Sequence, residues 1–573
     1  MRTPEELFFT ASDGARLFYR YWPPIAAPSN RALILFHRGH EHSGRLRHIV
    51  DELELPDVEM FAWDARGHGR SVDVPANTGI GLLIKDVDVF VQHVSNTFGL
   101  AVENIGVLGQ SIGSLLLAAW VHDYAPPIRC MVLATPSFSV KLYVPFARSF
   151  LGLMYRAFGN FHVTSYVKPN LLTHDPERIA SYLSDPLIRR PIPVNILLAL
   201  YSTASRVIED AAAIQVPTQM LVSGADFVVH HAPMHRFFDR LGSKVKEKHE
   251  FKGFYHDTLG EKDRAPAIAM VRAFVEKCFS EPSRQVVDMT YTQAEYDRLS
   301  RPLPWFSPKA WSYALTRLGM KTGGRLSDGI RLGLTTGFDS GSTLDYVYRN
   351  QPSGITPIGK LIDRFYLNAP GWRGIRIRKQ NLEKLLKQAV AALRAGGRPV
   401  RIVDIAAGHG RYVLDSAGDA DSILLRDFSE INLREGRQLI QQKGLTAIAR
   451  FETGDAFNRS SLAAITPKPT VGIVSGLYEL FPDNTLLRRS LAGLGDAIEQ
   501  GGYLIYTGQP WHPQLEMIAR TLTSHREGKP WIMRRRTQAE MDQLVAAAGF
   551  RKIEELADEW GIFTVSLAQR TGV

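Results

Sequence analysis

The sequence predicts the α/β class twice over: two domains, each a mostly parallel sheet with helices on its faces, separated by a helical stretch. Three observations carry this. Short apolar runs that end in loops alternate with helical stretches from RALILFHRG (31–39) to TQMLVSGAD (218–226), the rhythm of buried parallel strands. The rhythm lapses, then returns from RIVDIA (401–406) to GIFTVSLAQ (561–569). A length of 573 residues also exceeds one ordinary core, since domains run to roughly 100–200 residues.

Composition bounds the function. The chain is 45% hydrophobic and 22% charged, with a mean hydropathy of −0.11, as in soluble globular proteins. No apolar run approaches the ~20 residues of a membrane span. The opening MRTPEELFFTASDG lacks a basic-then-apolar signal pattern. The two cysteines, Cys130 and Cys278, lie in apolar surroundings and read as buried thiols, not as a disulfide framework. A cytoplasmic location is expected. The net charge of +10 suits peripheral contact with the anionic inner face of a membrane. No nucleic-acid recognition motif accompanies it, so no nucleic-acid partner is expected. Nothing in the sequence indicates an oligomeric state.

In the first domain, residues 1–285, the strand of NIGVLGQSIGSLLLAAW (104–120) runs straight into an apolar helix. Its loop Gly109-Gln110-Ser111-Ile112-Gly113 is G-x-S-x-G, whose glycines permit a sharp bend that lifts the serine hydroxyl to the top of the sheet. The plainer alternative is a serine that only caps the helix. A serine nucleophile needs a base and a group to orient that base. Asp226 just past a strand end, then His256 in FKGFYHDTLGE, follow in the required order. Backbone N–H groups of Ile112 and Gly39 are the candidates for an oxyanion hole, each worth about 3 kcal/mol in the transition state.

These residues resemble the α/β-hydrolase superfamily, in particular its monoacylglycerol lipase and lysophospholipase branch. HRGHEHSGR (37–45) resembles that branch's HGxGEHSGR, DARGHGRS (64–71) its DxRGHGxS, and LTHDP with DPL (172–176, 185–187) its cap signature. The resemblance implies Ser111 as nucleophile, Asp226 as acid, His256 as base, and a lipid ester as substrate. Arg38 departs from the branch's glycine, and a long cation there is expected to narrow the acyl pocket or meet an anionic head group. His37, His40 and His42 form H-x-x-H-x-H but lack carboxylate or cysteine partners nearby, so no metal is expected. Arg66 and His68 read as loop-stabilising residues. The rhythm lapses between about 137 and 203 into a cap whose aromatics interleave with Lys141, Arg148 and Arg156. This suits a lipid chain and a bilayer surface, and equally plain packing of cap on core.

Residues 286–390 read as a linker and a helical lid. The stretch 299–378 is basic and aromatic, with Trp305, Trp311, Phe365, Tyr366 and Trp372. It is expected to cover an acceptor, unless it is a solvated basic face.

The second α/β domain, 391–573, opens on IVDIAAGHGRYV (402–413). The dinucleotide fingerprint G-x-G-x-x-G fails in both registers, because Arg411 or Val413 falls where the third glycine belongs. The D-x-A-x-G-x-G of Asp404, Ala406, Gly408 and Gly410 instead resembles motif I of class I methyltransferases. That resemblance implies a Rossmann-like fold with an antiparallel final strand pair, and S-adenosylmethionine as cofactor. Asp427, ending the next strand, is implied for the ribose hydroxyls. Asp455 in GDAF is implied for the adenine amino group. Ala406 stands where the family has glycine. Tyr478 and Glu479, after the fourth strand, are acceptor-side candidates, their alternative being a core aromatic and a helix-start acid. End to end, the chain resembles a family of fused α/β-hydrolase and class I methyltransferase proteins. Two rivals stay open: a regulatory or non-catalytic second domain, and a small soluble ester or peptide as the hydrolase substrate.

Overall fold

In the computed structural model, residues 2–72, 78–281, 290–416 and 418–571 are described. The chain divides into two units, Met1–Val287 and Asp288–Val573. The expected boundary at 285/286 lies outside the described residues.

The first unit is built on eight strands: β1 (Glu5–Thr10), β2 (Arg16–Trp22), β3 (Ala32–Phe36), β4 (Glu59–Trp63), β5 (Ile105–Gln110), β6 (Cys130–Ala134), β7 (Thr218–Ser223) and β8 (Lys246–Phe251). Their order across the sheet is β1-β2-β4-β3-β5-β6-β7-β8. The β1–β2 and β2–β4 pairs are antiparallel and the others parallel. The central strand β3 reads ALILF with every residue buried, as a strand covered on both faces must. Helix α1 (Ile112–Tyr124) leaves β5 through Ser111 and is buried along almost its whole length, which explains its apolar composition on every side. The loops that follow β3, β5, β7 and β8 gather at the carboxyl edge, where ligands of parallel sheets bind.

Between β6 and β7 lie α2 (Ala147–Phe158), a two-stranded ribbon of His162–Thr164 with Pro191–Pro193, helix Pro176–Ser184, and α3 (Val194–Glu209). The cap therefore runs to Glu209 and not to 203. Ile196, Leu197, Leu200, Ala204 and Val207 keep one helical face buried throughout α3, so nothing breaks it at Thr203. Helix α2 is unlike its neighbours, having no buried residue.

The second unit carries β9 (Arg401–Asp404), β10 (Ser422–Asp427), β11 (Ala449–Thr453), β12 (Val471–Val474), β13 (Tyr503–Gly508), β14 (Phe550–Ala557) and β15 (Thr564–Arg570). Their order is β11-β10-β9-β12-β13-β15-β14. Only the pairs made by β15 are antiparallel, and the strand order reverses between β9 and β12, the switch point at which doubly wound sheets bind ligands. Ahead of the sheet come α4 (Pro308–Lys321), α5 (Asp328–Thr336), α6 (Gly341–Arg349), α7 (Pro357–Leu367) and α8 (Pro370–Ala395). Helix α8 crosses the expected lid boundary at 390 without interruption. Leu382, Leu385, Leu386, Ala389 and Leu393 pack into the same core as β9 and β10, so the helix's second half belongs to the sheet layer.

Candidate active sites

In the first unit, Ser111 stands at φ 53°, ψ −112° between β5 and α1, a strained backbone that aims the side chain outward. Two glycines make the bend feasible. A Cβ on Gly109 would lie 2.6 Å from Ser114 N, and one on Gly113 would lie 2.6 Å from Phe36 O. His256 Nε2 is 2.8 Å from Ser111 Oγ, and His256 Nδ1 is 2.7 Å from Asp226 Oδ2. The other Asp226 oxygen accepts from the N–H groups of Val228 and Val229 at 2.6 and 3.0 Å. Burial pushes Asp226 up, but His256 and those two donors outweigh it and hold the carboxyl below its ordinary range. All three side chains are buried or nearly so. Gly39 lies against Ile112, its Cβ position 3.8 Å from Ile112 Cγ2, which sets the two candidate oxyanion donors beside the nucleophile.

Arg38 does not project toward a ligand. It forks onto Glu41, with two contacts of 2.8 Å, and reaches Asp257 at 3.3 Å. Glu41 also takes Arg45 Nε at 2.5 Å, and Asp257 takes Arg178 at 2.9 Å. Of the two expectations for Arg38, contact with an anionic head group is corrected: two carboxylates already pair the guanidinium, because a buried charge must be paired. The network ties the loop bearing Gly39 to the neighbour of His256 and to the cap. Burial raises both carboxyl groups, yet the surrounding arginines hold Glu41 and Asp257 well below the usual range.

The three histidines of the H-x-x-H-x-H run are engaged separately. His37 donates from Nδ1 to Arg38 O at 2.7 Å and accepts from Ala65 N at 3.0 Å. His40 bonds Arg189 O at 2.7 Å, and His42 bonds Asp185 at 2.9 Å. His68 donates to Arg66 O at 3.0 Å, and Arg66 bridges Asp13 and Asp86.

In the second unit the loop after β9 turns at Gly408 (φ 56°) and Gly410 (φ 72°), left-handed positions that favour glycine. A side chain at Gly410 would collide with Leu425 Cδ1. Asp404 is wholly buried behind the loop, accepting from Ala406 N at 3.2 Å and Tyr412 Oη at 2.5 Å. Asp427 accepts from Gly408 N at 3.0 Å and Ser429 N at 2.9 Å, and each oxygen keeps a further lone pair for a ligand hydroxyl. Phe428, next to it, is 81% exposed. Asp455 is exposed and accepts from Phe457 N at 2.8 Å. This loop, with an acid at the next strand end and a bare aromatic face beside it, fits an adenosyl group.

Beside the loop after β12 lies an apolar cavity of about 350 Å³. Met320, Ile330, Leu344, Ile362, Met517 and Trp531 are among its walls, so α4 to α7 cover it. Phe365, Tyr366 and Trp372 line it, whereas Trp305 and Trp311 do not and stand exposed. Polar groups on its lining include Arg378, Glu479, Gln509, His512 and Asp339, with Gly476 beside them. Tyr478 takes no part. It is 3% exposed, its hydroxyl is 2.9 Å from Ser490 Oγ, and it packs in the core with Leu487 and Leu491. Arg378 is far in sequence from Gln509 and His512, which lie three residues apart after β13. The one local signal is Arg378 itself, an arginine at an inward position of α8.

Comparison with known proteins follows the same division. Residues 27–263 match the family model "Serine aminopeptidase, S33", and residues 270–570, just over half the chain, match "Putative methyltransferase". The "Uncharacterized protein YnbC" of Escherichia coli is 54% identical over 579 residues, covering 99% of each chain. A "Monoacylglycerol lipase" of Mycolicibacterium smegmatis is 25% identical over 280 residues, 48% of this chain and 97% of that protein. The crystal structure of the Paleococcus ferrophilus monoacylglycerol lipase covers 46% of this chain and 98% of its own, at 24% identity and a TM-score of 0.41. Built of an α/β-hydrolase unit followed by a methyltransferase-type sheet, and matched end to end by YnbC, the chain belongs to the family of fused α/β-hydrolase and methyltransferase proteins.

Proposed function

We propose that the first unit hydrolyses a carboxylic ester of lipid type and that the second transfers methyl groups with S-adenosylmethionine. The observation that carries the first half is the continuous line from Asp226 through His256 to Ser111 Oγ, with contacts of 2.7 and 2.8 Å. His256 takes the Ser111 proton as Oγ attacks the ester carbonyl. Asp226 fixes the tautomer with its proton on Nδ1 and stabilises the imidazolium that forms. The N–H groups of Ile112 and Gly39 receive the oxyanion. His256 then protonates the departing alcohol and activates the water that frees Ser111. Similarity to monoacylglycerol lipases over the whole first unit supports a glycerolipid ester over a small soluble ester or a peptide. The exposed apolar residues of α2, together with Arg148 and Arg156 on the same helix, support delivery of that substrate from an anionic membrane surface.

In the second unit, Gly408, Gly410, Asp427 and Asp455 would hold the cofactor, which supplies an activated methyl group on a sulfonium. Asp404 shapes the loop from behind, and the cavity beside Glu479 receives the acceptor. The Ser111→Ala variant is expected to lose ester hydrolysis by at least about a thousandfold while binding S-adenosylmethionine as the wild type does. Asp427→Ala is expected to do the reverse. Ester turnover and titration calorimetry on the two proteins check both. Retained hydrolysis in Ser111→Ala would overturn the triad, and unchanged affinity in Asp427→Ala would favour a different cofactor or none.

A further inference from the structure

Three features of the cavity in the second unit restrict its ligand. The first is polarity: a chamber lined mostly by apolar side chains, with a few polar groups among them, accommodates an amphiphile with a long apolar tail. The second is an incompletely answered cation on that lining. Arg378 is 3% exposed, its nearest carboxylate oxygen on Glu479 is 3.5 Å away, and its Nε has no hydrogen-bond partner among the described residues. The Nε2 amide of Gln509, on the same lining, is likewise buried without a partner. Unanswered donors in a buried site are costly unless a ligand completes them. The guanidinium lies 3.1 Å from the Cβ position of Gly476 and stacks 4.9 Å from the Phe563 ring centre. It therefore points to the loop at the switch point of the sheet, where donor and acceptor must meet.

The third feature is that the titratable groups on the lining are already engaged. Asp339 accepts from Ser524 Oγ and His525 N at 2.6 Å each. Glu479 already faces Arg378. His512 accepts the Gln514 N–H on Nδ1 at 3.0 Å, so in its neutral form the proton is on Nε2, the atom that faces Gly371 beside the cavity. Burial also pushes His512 down to about 3, so the ring is neutral at pH 7 and presents the Nε2 proton as a donor. An alcohol acceptor, or an ammonium, must surrender a proton during methylation. A carboxylate need not.

Resting on the methyl-transfer reading above, we propose that the acceptor is the carboxylate of a long-chain fatty acid, held by Arg378 and Gln509 with its tail in the cavity. The acid released from Ser111 is then the substrate of the second unit. In that step a carboxylate oxygen forms the new O–CH3 bond as the S–CH3 bond breaks. The bonding pair stays on sulfur, leaving a neutral thioether, and no proton is transferred. The product is a fatty acid methyl ester, so the two units together release the alcohol of one ester and carry its acyl group into a methyl ester, with no change in the oxidation level of the acid.

The test uses the full chain carrying Ser111→Ala, so that the first unit cannot hydrolyse the product. Hexadecanoate, hexadecanol, hexadecylamine and acetate are each incubated with methyl-labelled S-adenosylmethionine, and labelled products are identified by mass spectrometry. Label is expected in methyl hexadecanoate alone. Binding is read separately, without the donor, from quenching of the tryptophan fluorescence to which Trp372 and Trp531 contribute at the cavity wall. Arg378→Met should weaken hexadecanoate binding by about tenfold or more and leave hexadecanol binding unchanged. Arg378→Lys should recover part of the loss. Label in the alcohol or the amine but not the acid, equal labelling of acetate, or equal hexadecanoate binding by wild type and Arg378→Met would overturn the proposal with the methyl-transfer reading intact. Failure of the wild type to bind S-adenosylmethionine at all would instead overturn that reading, and the assigned acceptor with it.

Discussion

Asp404 bonds a phenol and an amide, not a cation, at the base of the glycine loop. Burial pushes its carboxyl up to about 7, the two donors offsetting only part of the effect. The sign of the linkage follows. A carboxyl raised above its unfolded value of about 3.9 stabilises the fold fully below that value, and the contribution is lost as pH rises toward 7. Asp404→Asn removes the ionisation while keeping the shape. The second unit of that variant is expected to melt higher than the wild type at pH 8 and at the same temperature near pH 4, as calorimetric scans of both proteins would register. At this scale the sequence was informative wherever a fold prescribes chain order. Ser111, Asp226 and His256 could be named because strand ends recur in a set sequence, and the structure brings those three together. It was silent where a side chain has two plausible directions. Arg38 and Tyr478 both turn away from the ligands expected for them, Arg38 into Glu41 and Asp257, and Tyr478 into the core. Arg378 meets Gln509 and His512 through folding alone, and no local pattern joins it to them.

Among the elements, α2 is the one whose composition and environment disagree most. Phe146, Phe150, Leu153 and Phe158 are between 61% and 86% exposed, whereas Ala147, Leu151 and Met154 turn inward. Apolar exposure on this scale marks an interaction surface. Replacing Phe150 and Leu153 together by glutamate is expected to lower partitioning onto anionic vesicles by about a hundredfold, given roughly 1.5–3 kcal/mol for each buried side chain. Hydrolysis of a short soluble ester should stay unchanged. Vesicle co-sedimentation and a p-nitrophenyl ester assay on one preparation separate the two effects, and a parallel loss in both would assign the stripe to cap packing. Elements with a single period were legible: the buried strands and α1. The cap's end at Glu209 and the continuation of α8 to Ala395 were not, because an apolar face gives no sign of which layer it will cover.

For the whole molecule, each unit has its own sheet and its own core clusters. Substitutions that disable one site are therefore expected to leave the other working. Gly410→Val forces a branched side chain into Leu425 and into a left-handed backbone. It should abolish cofactor binding while altering ester hydrolysis by less than about twofold, since sites built on separate cores with no shared partners act additively. Paired assays of both activities on Gly410→Val and on Ser111→Ala test this, and mutual loss would mean that the units fold or function as one. The two-domain α/β class was readable from the strand rhythm alone, because parallel sheets need long crossovers that leave regular spacing in the chain.

Helix α8 has a consequence for inheritance. Its 26 residues span about 39 Å. The first half presents Trp372, Ile375 and Arg378 to the cavity, and the second half seats leucines in the sheet core. A gene segment cut between Arg378 and Ala395 would separate the pocket's cation from the sheet that orients it. A methyltransferase half that keeps this pocket has to begin ahead of Arg378. A bare Rossmann sheet acquired by gene fusion would arrive with a cofactor loop and no acceptor specificity.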